Sequence, residues 1–440
     1  MKNDWPRKML AFVLLPLALM LTLGTGPCEA QTAPEPPQRP VKVVVQKTAD
    51  GYRLLRGGKP YFVKGGGGSQ FLDSLAKAGA NSVRTWGHEE ATRALPEARK
   101  RGLTVSFGLW MGHERHGFDY ADEKAVAAQR ERFRPIIEKY KNDPALLVWQ
   151  IGNEMEGPDG KNPRVWKAIN DVAKMIKAID PNHPTMTVIA EIGGDKIKNF
   201  KALCPDVDLL GVNAYGGMGS LASRLEENGY DGPFLVTEWG ALGPWEGGNA
   251  PWGAPIEMTS HEKAEFAIAN YYRTVAAHQD RCLGSYVFLW GHKQERTDTW
   301  FGLLLATGER TELADAVSRA WTGRAPANRA PVLYRLESEA AFLKKVAPGA
   351  RLSARAVARD PNGDALTARW VVRPETIDAK AGGDAEAAPP DVPGAVTKTD
   401  GLSAEFTAPA RPGPYRLFVY LTDAKGGAAT ANIPFFVEEK

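Results

Sequence analysis

Two glutamates stand where a hydrophobic run gives out. Leu146-Leu147-Val148-Trp149-Gln150-Ile151 ends in Gly152-Asn153-Glu154, and Phe234-Leu235-Val236-Thr237 ends in Glu238-Trp239-Gly240. A carboxylate at the point where a strand leaves the core costs desolvation unless it is paired or put to use. Two of them facing one opening supply an acid and a base or nucleophile, the set needed to cleave a glycosidic bond. A lone glutamate at a strand end is ordinarily a solvated or salt-bridged rim residue, because such loops lie on the surface. A pair, one preceded by Asn and the other followed by Trp, favours the chemical reading.

Such a pair needs a scaffold that gathers the ends of distant strands. The chain alternates short apolar runs with longer helical patterns, the mark of βαβ units and a parallel sheet. The runs are Tyr61–Lys64, Asn81–Trp86, Thr104–Trp110, Leu146–Gly152, Thr185–Ala190, Leu209–Ala214, Phe234–Glu238 and Ser285–Trp290. Helical stretches at Phe71–Lys77, Ala91–Arg101, Glu123–Lys141, Arg164–Ile179, Lys196–Leu203, Glu262–His278 and Leu313–Trp321 lie between or after them. This α/β pattern fits a closed (β/α)8 TIM barrel better than an open sheet, and such barrels carry their chemistry at the C-terminal strand ends. No Gly-x-Gly-x-x-Gly opens a helix, and Gly65–Gly68 lacks the Lys-Ser/Thr of a phosphate loop. That glycine run reads instead as close backbone approach at a strand end.

Asn142-Asp143-Pro144 leading to Trp149-Gln150-Ile151-Gly152-Asn153-Glu154, then Thr237-Glu238-Trp239-Gly240, resembles the clan A retaining glycoside hydrolases. The nearest likeness is to the catalytic barrel of family two, over Tyr61 to Trp321. The opening Tyr61-Phe62-Val63-Lys64-Gly65 also resembles β-glucan-remodelling barrels. The resemblance implies Glu154 as acid/base and Glu238 as nucleophile. It implies Asn153 binding the sugar 2-hydroxyl, Arg84 and Tyr215 supporting the nucleophile, and Trp290 flooring the sugar site. Arg84 and Tyr215 would favour the charged form of Glu238. A facing carboxylate and an apolar wall would raise the pKa of Glu154. The activity implied is that of a retaining β-glycosidase cleaving a β-linked glucan or related polysaccharide or oligosaccharide through a glycosyl-enzyme, without cofactor or metal. Two alternatives stand beside it: a β-glucan transglycosylase with the same machinery, and a non-catalytic carbohydrate-binding or cell-surface protein. The presence of both glutamates argues against the last.

Trp86-Gly87-His88 and Trp110-Met111-Gly112-His113 follow the second and third strands and should rim a cleft. Trp86, His88, Trp110 and His113 are therefore expected to touch substrate. His88, His113 and His116 also admit a metal reading, but His-x-x-His on a loop is a weak signal and sugar contact is favoured. Trp300 is expected to form an outer subsite, with Trp245 and Trp252 as further candidates. Glu191 and Asp298 follow the fifth and eighth strands. Twelve Trp is a high count. Indoles in excess of core needs stack on sugar faces, although a large barrel buries many aromatics anyway.

Around this barrel the 440 residues divide further. Lys2, Arg7 and Lys8, the apolar run Met9–Leu23 and Cys28-Glu29-Ala30 read as an export signal over residues 1–30, with no stable membrane insertion after cleavage. Export to the periplasm or medium follows. Residues 31–56 read as a Pro-rich linker and hairpin, 57–323 as the barrel, and 324–331 as a second linker. Residues 332–440 read as a small all-β, immunoglobulin-like sandwich, from alternating runs between turn signals. Gly382–Val392 reads as a mobile Ala/Pro/Asp-rich loop. Asp360-Pro361-Asn362-Gly363-Asp364 admits a calcium loop, but a plain turn is favoured because Asp-Pro and Asn-Gly are turn chemistry. Trp370 is the sandwich's one Trp, so no aromatic platform is evident. Cys204 and Cys282 leave open one bridge or two buried thiols. A net charge of +3 gives no electrostatic case for a nucleic-acid partner. Oligomeric state stays open.

Overall fold

The computed structural model describes residues 39–341, 344–376, 379–380 and 382–439. The expected export signal (1–30) and the stretch from 31 to 38 lie outside the described residues. An N-terminal hairpin pairs Val43–Thr48 (β1) with Gly51–Arg56 (β2), and Lys59–Pro60 (β3) adds a short third strand. Gly51 is required at its turn. Its φ is +115°, and a Cβ there would lie 2.1 Å from the Asp280 carbonyl oxygen. The hairpin plugs the barrel floor, where Val43 and Leu54 pack with Leu147, Met186, Leu235 and Tyr286.

Eight parallel strands close the barrel. They are Val63–Gly67 (β4), Ser82–Arg84 (β5), Thr104–Leu109 (β6), Leu146–Ile151 (β7), Thr185–Ala190 (β8), Leu209–Asn213 (β9), Phe234–Glu238 (β10) and Cys282–Val287 (β11). Helices Leu72–Lys77 (α1), His88–Lys100 (α2), Glu123–Tyr140 (α3), Pro163–Ile179 (α4), Lys196–Leu203 (α5), Leu221–Glu227 (α6), Ser260–Tyr271 (α7) and Glu312–Thr322 (α8) surround it. Their starts follow from local chemistry. Pro163 opens α4 behind an Asn162 cap, and Thr259 with Glu262 forms a capping box on α7. Gly323 ends α8 in the left-handed conformation.

Two expected strands are displaced. The first runs on through Gly65 and Gly67 rather than ending at Lys64. Packing requires these glycines, because a Cβ on Gly65 would lie 2.2 Å from the Tyr286 ring and one on Gly66 2.8 Å from Trp290. The last strand is Cys282–Val287, three residues earlier than the apolar run suggests. Hydrophobicity continues into the loop because Phe288 and Leu289 belong to the barrel mouth. Helix α6 has no counterpart among the expected helices.

Beyond Gly323, two four-stranded sheets face each other. Val332–Ser338 (β12), Arg351–Arg359 (β14), Ser403–Thr407 (β17) and Val396–Asp400 (β16) form one. Lys345–Val346 (β13), Ala428–Val437 (β19), Gly413–Thr422 (β18) and Thr367–Pro374 (β15) form the other. Trp370, Phe406, Leu417 and Phe435 fill the space between them. The outer face of β18 and β19 packs on the barrel through buried polar groups. Arg416 donates to Asn432 Oδ1 (2.6 Å), to Glu375 (2.9 Å) and to the Pro255 carbonyl (2.8 Å). Asn432 donates to Glu257 (2.6 Å), which also pairs with Lys263. Asp298 joins this interface, held by Arg373 (3.0 Å) and Tyr420 (2.8 Å). Cys204 and Cys282 are separate buried thiols. Among the described residues no helix is long and apolar enough to cross a membrane.

Candidate active site

A cavity of about 640 Å³ opens at the C-terminal ends of the barrel strands. Trp86, Trp110, Asn153, Glu154, Glu191, Asn213, Tyr215, Glu238, Trp245 and Phe288 are in its wall. A groove of about 690 Å³ on the sandwich is lined by side chains such as Glu337, Lys398 and Glu405 and holds none of these strand-end residues.

Glu238 ends β10 and is buried. Arg84 Nη1 donates to its Oε1 at 2.7 Å, Trp86 Nε1 to the same oxygen at 2.8 Å, and the Tyr215 hydroxyl to Oε2 at 2.7 Å. Arg84 is itself fully buried and fixed on all sides. Its Nε reaches Gln150 (2.7 Å), and Nη1 also reaches the Thr237 carbonyl (3.0 Å). Three donors, one of them charged, fix the carboxylate and stabilise its negative charge. Burial, reinforced by the Glu238 charge, raises the Tyr215 hydroxyl well above its ordinary pKa, so it remains a donor.

Glu154 leaves β7 in a different setting. Its φ of +53°, two residues after Gly152 at +66°, is a left-handed conformation that a non-glycine residue adopts at a cost. The Glu154 amide donates to the Val188 carbonyl at 2.9 Å. Its only hydrogen-bond donor among the described side chains is Asn213, at 2.7 Å. Burial first, and the charge of Glu238 second, push the Glu154 carboxyl up to about 7, against the opposing Asn213 bond. The two glutamates thus meet opposite environments, the arrangement that separates an acid from a nucleophile.

Asparagines link the two. Thr237 Oγ1 donates to Asn213 Oδ1 (2.8 Å), turning the Asn213 amide nitrogen toward Glu154 and Asn153 Oδ1. Asn153 Oδ1 also accepts from Arg84 (2.6 Å). The Asn153 amide nitrogen is left to donate to whatever occupies the cavity. Asn213, which occupies the β9 end in register with Glu238, was not anticipated as a site residue. Its place in Asn213-Ala214-Tyr215 at a strand end was the available signal.

Several rim expectations need correction. Trp290 does not floor the cavity. It is fully buried, stacks on Trp321 at 6.1 Å and lies behind β4, while Phe288 takes the cavity wall because β11 ends early. Trp300 is not an outer subsite. It is buried behind the wall, its Nε1 donating to the Leu242 carbonyl at 2.8 Å. His88 begins α2 and pairs with Glu89 (3.2 Å), outside the cavity wall. His113 is buried against Trp110 at 4.8 Å and supports that ring from behind, with burial lowering its pKa to about 4. Trp252 packs on Phe436. Trp86 and Trp110 do line the cavity, as do Trp245 and Glu191. Among the described residues, the histidines form no cluster of potential metal ligands. Asp360, Asp364 and Asp423 on the sandwich do.

The sandwich also reaches the cavity. Gly382, Gly383 and Asp384 lie in its wall, so the loop read as mobile is anchored there. Asp384 bonds His116 (2.9 Å) and Arg115 (3.3 Å), and Lys293 donates to the Gly383 carbonyl (2.8 Å). No local pattern marks Asp384, because only long-range packing brings it to the barrel.

Comparison with known proteins places this geometry. The family model "Glycosyl hydrolases family 2, TIM barrel domain" matches residues 72–293. A β-glucuronidase structure from an uncultured Clostridium sp. aligns with TM-score 0.50 and 18% identity over 64% of this chain and 54% of its own. The Ruminococcus gnavus β-glucuronidase gives TM-score 0.51 and 16% identity over 65% of this chain and 53% of its own. Mannan endo-1,4-beta-mannosidase F of Aspergillus clavatus is 26% identical over 68 residues, 16% of each chain. The chain thus spans about half the length of the solved structures it matches, and a smaller share of the fungal relative.

Proposed function

The chain belongs to the glycosyl hydrolase family 2 TIM-barrel family, and from that premise we propose that it is a retaining β-glycosidase acting on a β-linked glucan or related polysaccharide or oligosaccharide. The observation that carries the reading is the contrast between a triply hydrogen-bonded Glu238 and a partly buried, high-pKa Glu154 across one cavity. Glu238 attacks the anomeric carbon and forms a glycosyl ester, while Glu154 gives its proton to the departing oxygen. Glu154 then takes a proton from water, the hydroxide attacks the same carbon, and Glu238 leaves as carboxylate. Two inversions give net retention. Asn153 donates to the 2-hydroxyl, and Arg84, Trp86 and Tyr215 hold Glu238 in line. Trp110 and Trp245 offer flat apolar faces for sugar rings.

The enzyme works outside the cytoplasm, a reading supported by the basic and apolar N-terminal segments before Ala30. The sandwich is an immunoglobulin-like accessory module, supported by its two facing four-stranded sheets.

The test is chemical. A screen of β-glucans, β-galactans and β-mannans, with product anomers followed by NMR, should give a first product of retained configuration. Glu238→Ala should lose turnover, and added azide should then yield a glycosyl azide of inverted configuration. Full activity in Glu238→Gln, or an inverted first product from the native chain, would overturn the assignment.

A further inference from the structure

One carboxylate cluster plays no part in the glycosidase chemistry. Asp360 and Asp364 come from the turn between β14 and β15, and Asp423 from the turn between β18 and β19. One oxygen from each lies within 4.8 Å of the others. The turns account for part of this. Asp360 Oδ1 accepts the Asn362 and Asp364 amides at 2.7 and 3.0 Å. Asp423 Oδ1 accepts those of Lys425 and Gly427 at 2.7 and 2.8 Å. Asn328, from the segment joining barrel to sandwich, donates to Asp423 Oδ2 at 2.7 Å.

The turns do not account for the remaining oxygens of Asp360 and Asp364. Asp360 Oδ2 and Asp364 Oδ2 are both shielded from solvent and accept no hydrogen bond. Asp360 as a whole is only 7% exposed. A buried carboxylate oxygen without a partner bears its full desolvation cost. Charge is also out of balance. Among the described residues the one cation in ion-pair contact with the cluster is Lys425, 2.6 Å from Asp364 Oδ1 with its side chain 61% exposed. The nearby arginines are turned to other acceptors: Arg329 donates to the Pro361 carbonyl and Arg310 pairs with Asp315. Three carboxylates and one ammonium leave a local charge of two negatives, −3 plus +1.

We propose that Asp360, Asp364 and Asp423 form a calcium site at the barrel end of the sandwich. The set is hard, anionic and all oxygen, which suits calcium and offers zinc neither sulfur nor imidazole. Carbonyls and water complete the six to eight oxygens calcium takes, whereas magnesium requires a tighter octahedron. The ion offsets the negative charge of the three carboxylates and ties the β14–β15 turn to the β18–β19 turn. Through Asn328 it also secures the segment leading from α8. Lys425 is the competing internal cation.

The test uses the full chain, stripped with EDTA and exchanged into chelator-free buffer. Calcium titrated by calorimetry should bind once per chain with a Kd of about 10⁻⁴–10⁻³ M, the range of extracellular modules. At about 10 mM calcium the unfolding temperature should rise by about 2–4 °C, and by clearly less with magnesium. Asp360→Asn and Asp423→Asn should each weaken binding by about tenfold or more, the loss of one charged ligand. Lys425→Ala, an exposed change that leaves the fold intact, should tighten it. A native chain with no saturable heat and no thermal shift overturns the proposal. So does a calcium response left unchanged by both Asp360→Asn and Lys425→Ala.

Discussion

Glu154 must be an acid in one half-reaction and a base in the next, and its surroundings set the pH at which it can do both. With its carboxyl raised to about 7 by burial and by Glu238, kcat/KM should fall as pH rises through about 7, because the protonated form is the donor. Glu154→Gln should abolish that limb. It should also cost about 10²–10⁴ in turnover on substrates with poor leaving groups, and less on activated aryl glycosides. Stability carries the opposite lesson. A folded-state pKa above the ordinary 4.5 means the native chain holds this proton more tightly than the unfolded chain. The resulting stability is fully present below about 4.5 and is lost as pH rises through about 7. Glu154→Gln should therefore melt above the native chain at pH 8, by an amount on the order of 2 kcal/mol, with the gap closing toward pH 5. A gap independent of pH would show that the carboxyl is not the source. The strand-end positions of Arg84, Asn153, Glu154 and Glu238 were legible because each lies where an apolar run stops. Asn213 was less so, since its partners come from two other strands.

At the scale of elements, the glycines of β4 show why a strand can be hard to read. Gly65 and Gly66 carry no hydrophobic signal, yet they lie inside the barrel wall where Tyr286 and Trp290 leave no room for a Cβ. Gly65→Ala should destabilise the fold by about 1–3 kcal/mol, the usual cost of overpacking, as read by chemical denaturation. It should also reduce activity, since β4 pairs with β5, which ends in Arg84. Wild-type stability in this variant would mean Tyr286 moves freely. The last strand misleads in the other direction. Its apolar run includes Phe288 and Leu289, loop residues buried for the cavity's sake, which shifted Trp290 into a role it does not fill. Edge strands β12 and β16 escaped notice because they are largely exposed and polar.

For the molecule as a whole, the barrel meets the sandwich through a buried charged network beside an apolar patch where Leu305 packs on Val371, Phe418 and Tyr420. Arg416, Glu375, Asn432, Glu257 and Lys263 satisfy one another there. Removing one member strands the others, a loss of about 3–5 kcal/mol for a broken buried pair. Arg416→Ala should therefore lower the main unfolding transition and split it in two in calorimetry, while Arg355→Ala on the exposed face of β14 should leave it single. One unsplit, unshifted transition in Arg416→Ala would show that the network does not couple the layers. Neither layer advertised this coupling, because alternation and composition report what faces water and not which distant chain segment covers a face. The stretch after Gly323 looks, in sequence, like a seam at which genes could recombine. Yet a barrel joined to a foreign sandwich would inherit Glu257 and Lys263 without their counterparts, and Asp384 would be missing from the cavity wall. The two halves should therefore descend together, with Glu257, Glu375 and Arg416 changing in concert across lineages.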